Sequence, residues 1–101
     1  MNETELLELG TALARTTDVL RPGRIAPFRD YVRVVLADLG VDVETLFGPD
    51  ASCQVTVDGQ LVDGPESRLP VTAGSRVVLY RRQGPMLDVL NRGVVRRICL
   101  N

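Results

Sequence analysis

Cys53, Val55 and Val57 alternate with Gln54, Thr56 and Asp58, which is the two-residue period of a strand with one buried face. Asp58-Gly59 follows, a pair that tolerates the positive φ angles of a type I′ turn. The pattern therefore predicts a two-residue hairpin in which Val57 faces Gln60 and Val55 faces Val62. Ala73-Gly74-Ser75 marks another turn, before Arg76-Val77-Val78-Leu79-Tyr80-Arg81. The continuous apolar middle of that run predicts a strand buried on both faces. Upstream the period changes. Phe28, Tyr31, Val32, Val35, Leu36 and Leu39 recur at helical spacing, with Pro27 suited to the first turn and Gly40 to the end. Leu6, Leu9, Leu13 and Leu20 lie near one face of an earlier helix, opened by Asn2 with Glu5 three residues on and stopped by Pro22-Gly23. Gly10 and Thr16-Thr17 weaken that helix, so it is expected to end early, with Asp18-Val19-Leu20 extended.

Between these segments, Val41 to Phe47 predicts one helical turn capped by Asp42, with Leu46 and Phe47 closing one end of the core. Leu69 and Val71 are expected to return toward the core after the polar loop Asp63–Ser67. Past Arg82, the apolar positions Met86, Leu87, Val89 and Leu90 predict a short helix that Gly93 stops, and Val94 to Leu100 predicts a last strand. The expected class is α+β, a single domain over residues 1–101 with the N-terminal helices packed on one face of a small mixed sheet.

Composition narrows the chemistry. The chain has no His, and all twelve of its basic residues are Arg. The commonest metal ligand, the commonest general base and the Schiff-base amine are missing together. A non-catalytic protein without metal or cofactor is the expectation. The net charge of −1 hides a division: residues 1–66 carry five Arg against twelve Asp and Glu, whereas residues 67–101 carry seven Arg against Asp88 alone. Such asymmetry suits an acidic partner unless the two halves fold together and mix their charges. Tyr80 is the one aromatic residue of the basic half, which argues against nucleic acid. No apolar run reaches the roughly 20 residues of a membrane span, and the acidic opening Met1-Asn2-Glu3-Thr4-Glu5 is unlike a secretory signal. A cytoplasmic protein is expected. Cys53 and Cys99, far apart in sequence, are expected to be reduced thiols packed as small hydrophobes.

Val57-Asp58-Gly59-Gln60-Leu61-Val62, then Leu69, then Gly74-Ser75-Arg76-Val77-Val78-Leu79 resembles the later half of the β-grasp sulfur carriers of the molybdopterin and thiamine pathways, a ubiquitin-like superfamily. The resemblance covers residues 28–84 and includes the helix Tyr31–Leu39. It implies a β-grasp-like sheet. Those carriers end in Gly-Gly, whose carboxylate is adenylated and converted to a thiocarboxylate; the corresponding place here is Gln83-Gly84. Because seventeen residues follow Gly84, the resemblance implies a carrier terminus exposed by processing.

Residues 85–101 lie beyond that resemblance and are too apolar for a free tail. They are read as a C-terminal interaction segment. Arg81, Arg82, Arg92, Arg96, Arg97, Ile98 and Leu100 are its candidate contact residues, toward a protein partner or a second copy in a homodimer. Arg96 and Arg97 would there meet an acidic N-terminal half; return of the strand to its own sheet is the competing outcome. The sequence thus favours an accessory or adaptor protein acting through protein contacts. A carrier activated at Gly84 and an Arg-based binder of an anionic ligand are the alternatives.

Overall fold

The structure, a computed structural model, describes residues 1–100. Two helices open the chain, α1 (Glu3–Ala14) and the single turn α2 (Thr16–Val19). A short strand β1 (Ile25–Pro27) leads directly into α3 (Phe28–Asp38), and α4 (Glu44–Phe47) precedes six strands: β2 (Cys53–Val57), β3 (Gln60–Leu61), β4 (Pro70–Thr72), β5 (Val77–Gln83), β6 (Met86–Asn91) and β7 (Val94–Cys99). The α+β class holds. The sheet is not mixed, however: β3-β2-β5-β6-β7 form five strands and β1-β4 two, and every pairing among the described residues is antiparallel. Hairpins of two residues join β2 to β3, β5 to β6 and β6 to β7, and a chain that reverses at each step has no parallel neighbour.

Local chemistry explains most of the element ends. The Asn2 side chain accepts from the Glu5 amide at 2.8 Å and caps α1, satisfying one of the amides a helix start leaves open. Gly40, at φ +66°, ends α3. Asp58 and Gly59 have φ +50° and +83°, the signature of the type I′ turn, and the predicted register holds: Val57 pairs with Gln60, and Val62 donates its amide to the Val55 carbonyl. The strand β1 escapes the sequence reading because it is three residues long and ends in proline. It exists through tertiary pairing, Ile25 with Thr72 and Ala26 with Val71.

The core lies between the helices and one face of the five-stranded sheet. Leu6, Leu9 and Leu13 of α1 meet Phe28, Tyr31, Val32, Val35 and Leu36 of α3, with Val55, Val57, Val77, Leu79 and Leu90 beneath them. Phe28 and Phe47 stack edge to face at 6.0 Å, and Leu46 is fully buried, so α4 closes one end of the core as expected. Gly10 is a contact rather than a weakness. A methyl group at its Cα would stand 2.7 Å from Leu90 Cβ, so the missing side chain lets α1 approach β6. Two side chains tie the helices to distant parts of the chain. Tyr31 donates its hydroxyl to the Leu13 carbonyl at 2.8 Å, and Thr16 donates to Ala73 O at 2.7 Å.

Residues 86–91 are a strand and not the expected helix. Met86, Asp88 and Leu90 alternate with Leu87 and Val89, and Asp88 pairs in register with Arg81, whereas a helix would have brought Asp88 to a different neighbour. Gly93, at φ +78° beside Arg92 at +53°, supplies a second type I′ turn; positive φ serves a helix stop and this turn equally. Residues 94–99 pair with β6 of their own chain, so the intramolecular outcome holds for this strand, and Arg97 meets Glu3 of the same molecule.

Candidate functional site

Antiparallel register sorts the side chains of the sheet into two faces. On the helix side, Val55, Leu79, Leu90 and Val95 form one row, and Cys53, Arg81, Asp88 and Arg97 form the next. The second row is charged yet dry at its middle, with Arg81 and Asp88 side chains only 7% and 4% exposed. Asp88 is the hub. It accepts from Arg81 at 3.3 Å through one oxygen and from Arg97 at 2.9 Å through the other. Arg81 also donates to the Met1 carbonyl at 2.9 Å, and Arg97 reaches Glu3. These bonds hold the start of α1 on the sheet. The hydrogen bond to Asp88, then the charge of Glu3, raises the Arg97 pKa above the usual guanidinium range.

The opposite face carries no helix. By register its rows are Leu61, Thr56, Val78, Asn91 and Val94; then Gln54, Tyr80, Val89 and Arg96; then Arg82, Leu87 and Ile98. Its apolar side chains gather on β6 and β7, as Leu87, Val89, Val94 and Ile98, with Leu61 at the opposite edge. Val94 is 60% exposed, Ile98 41% and Leu61 56%, and Tyr80, Leu87 and Val89 are half-buried. Four guanidiniums stand on or around it, those of Arg76, Arg82, Arg92 and Arg96, and none of the four takes part in an ion pair among the described residues. A shallow depression of about 570 Å³ between Tyr80, Val89, Arg76 and Arg92 indents the face.

The structure therefore divides the candidate contact residues. Arg82, Arg96, Ile98 and Leu100 share the open face or its rim, and Arg92 sits in the adjoining β6–β7 turn. Arg81 is buried and Arg97 is held by Asp88 and Glu3 on the helix side; neither contributes free charge to the open face. Sequence reading passed over Arg76, Tyr80, Leu87, Val89 and Val94. For Leu87 and Val89 the signal was the alternation in residues 86–91, which was read as helical.

Gln83 ends β5, paired with Met86, and Gly84 opens the β5–β6 turn with φ +56° before Pro85, the order of a II′ turn. A carboxylate at Gly84 would require the loss of β6 and β7, and with them the buried Leu90 and Asp88. Cys53 is half-buried and donates to the Ala51 carbonyl; burial pushes its thiol pKa up. Cys99 is exposed, which corrects the expectation that both thiols pack inside. Strands β5 and β6 stand between the two sulfurs. Among the described residues no group of three His, Cys, Asp or Glu side chains converges on a metal-sized site, and no helix is long and apolar enough to cross a membrane.

No family model matches the chain, and no curated protein or solved structure is significantly similar to it.

Proposed function

We propose that this protein is a small non-catalytic adaptor that works through protein contacts, and that the open face of its five-stranded sheet receives an acidic protein surface. One observation carries the reading: a sheet face without a helix on it, where apolar side chains stand among polar ones, edged by four guanidiniums that take part in no ion pair among the described residues. Antiparallel sheets do expose one face to water, but that face is then polar. Here Leu87, Val89, Val94 and Ile98, neighbours on β6 and β7, interrupt the polar positions, and exposed apolar surface rimmed by charge is the anatomy of an interface. A nucleic acid would find the guanidiniums but only Tyr80 to stack on.

Affinity capture from lysate of the source cells, with wild type and Ile98→Glu side by side, tests the reading. Ile98 is exposed, so the variant keeps its core. A protein retained by wild type and lost from Ile98→Glu is the expected result; a capture profile indifferent to Ile98→Glu refutes the adaptor reading.

A further inference from the structure

Resting on that reading, we infer that the partner binds as an extended acidic segment, added as a sixth strand along the outer edge of β7. The backbone defines the site. In an antiparallel pair, hydrogen-bonded and non-bonded positions alternate, and the Leu100 amide donates to the Pro85 carbonyl at 2.7 Å. Counting back by twos along the β6–β7 register, Ile98, Arg96 and Val94 also direct their backbone groups to β6. Val95, Arg97 and Cys99 direct theirs outward, where β7 ends the sheet. Three amides and three carbonyls thus form an unpaired ladder with the same spacing that β6 uses on the other side. Such an edge accepts an extended peptide, main-chain bonds giving affinity and alternate side chains giving selectivity.

The side chains beside the ladder choose the occupant. On the open face the new strand would lie beside Val94, Arg96 and Ile98, so apolar residues flanking an acidic one match it. Arg96 takes part in no ion pair among the described residues, and the only acidic side chain of the C-terminal third, Asp88, is already bonded to Arg81 and Arg97. A second copy fits poorly. The two-fold registers that overlap β7 most fully, centred on Arg96 or on Arg97, set a guanidinium against its own image, and like charges directly opposite destabilise a strand pair. Arginine along an edge keeps identical chains apart while leaving the ladder open to an acidic strand.

The test uses the full chain and a short fluorescent peptide of alternating valine and glutamate, with a valine–lysine peptide and a thymidine single strand as competitors. In low salt (about 50 mM, where exposed charges are weakly screened) the valine–glutamate peptide is expected to bind and to slow exchange of the Val95, Arg97 and Cys99 amides. Ile98 and Arg96 amides, already bonded to β6, should change little. Arg96→Glu should weaken this binding by about tenfold or more and turn the preference toward the lysine peptide. Cys99→Pro should weaken it by removing one outward donor without touching β6, since proline is tolerated where an edge amide faces solvent; if that variant misfolds, the exchange pattern of the wild type still decides. Binding without protection of the three amides, tighter binding of the lysine peptide or the oligonucleotide, or a wild-type dimer in sedimentation that Arg96→Glu dissociates would each overturn the inference. If no peptide binds while Ile98→Glu still loses its captured protein, the strand mode is wrong and the adaptor reading stands.

Discussion

Tyr31→Phe tests how the two main helices are joined, because the Tyr31 hydroxyl donates to the carbonyl of Leu13 in the last turn of α1. The last four carbonyls of a helix have no partner within it, and Tyr31 is 1% exposed, so water cannot replace the phenol. Removing it leaves a buried acceptor unsatisfied, at about 1–3 kcal/mol, or at least about 4 °C in melting temperature for a domain of this size. The pH dependence provides an independent check. Burial, then the nearby charge of Asp18, raises the Tyr31 pKa above its ordinary value; the folded state holds the proton where the unfolded chain releases it. Its stabilising contribution is therefore complete below the unfolded tyrosine pKa near 10 and is lost as pH rises beyond it, by about 1.4 kcal/mol at pH 11. Every other side chain is common to the two proteins and cancels in the comparison. Urea unfolding of wild type and Tyr31→Phe at pH 7 and pH 11 should show a gap that narrows by about that amount. A gap that is equal at the two pH values would refute the buried phenol, and equal stability at pH 7 would refute the hydrogen bond.

Gly10→Ala should lower stability by about 1–3 kcal/mol in denaturant titration despite the better helix propensity of alanine, because the new methyl meets Leu90 Cβ at 2.7 Å; a stabilised variant would mean that α1 and β6 are not in close contact. Gly59→Val should destabilise the β2–β3 hairpin, since a β-branched side chain at φ +83° is strained; unchanged thermal unfolding would contradict the turn. Asp88→Ala should cost about 3–5 kcal/mol, because it leaves the Arg81 guanidinium buried and unpaired, and Glu3→Ala, at the solvated end of the network, should cost far less. Ellman's reagent should modify Cys99 rapidly in the native protein and Cys53 only slowly, as their exposures require; the reverse order would contradict the strand register.

Much of the fold was legible because local and tertiary signals agreed. Asp58-Gly59 lies between alternating residues, so one turn type fixed the register of β2 and β3, and α3 could be read from an apolar stripe that no neighbouring glycine or proline disturbs. Where one residue type serves two conformations, the reading divided. Gly93 can end a helix or turn a hairpin, and the strand β6 was lost with that choice; Asp88, falling at every second residue with Met86 and Leu90, was the clue to period two. β1 left no pattern at all, since three residues ending in Pro27 form a strand only when Val71 and Thr72 lie beside them.

The functional face was harder to see for a different reason. A tally of charge shows seven Arg against Asp88 after residue 66, but which of the seven remain free depends on cross-strand neighbours. Arg81 and Arg97 both pair with Asp88 because β5, β6 and β7 place these three residues in one row, and α1 brings Glu3 to the end of that row. The same register turns Arg82 and Arg96 to the other face, one residue away along the chain and on the far side of the sheet. Adjacent arginines at 81–82 and 96–97 thus have opposite fates: one of each pair binds Asp88 on the helix side, and the other stands on the open face with no ion pair among the described residues. A one-residue slip of β6 would turn Asp88 to the open face and leave Arg81 without its carboxylate, so the turns at Gly84 and Gly93, which fix that register, also determine which charges the protein presents.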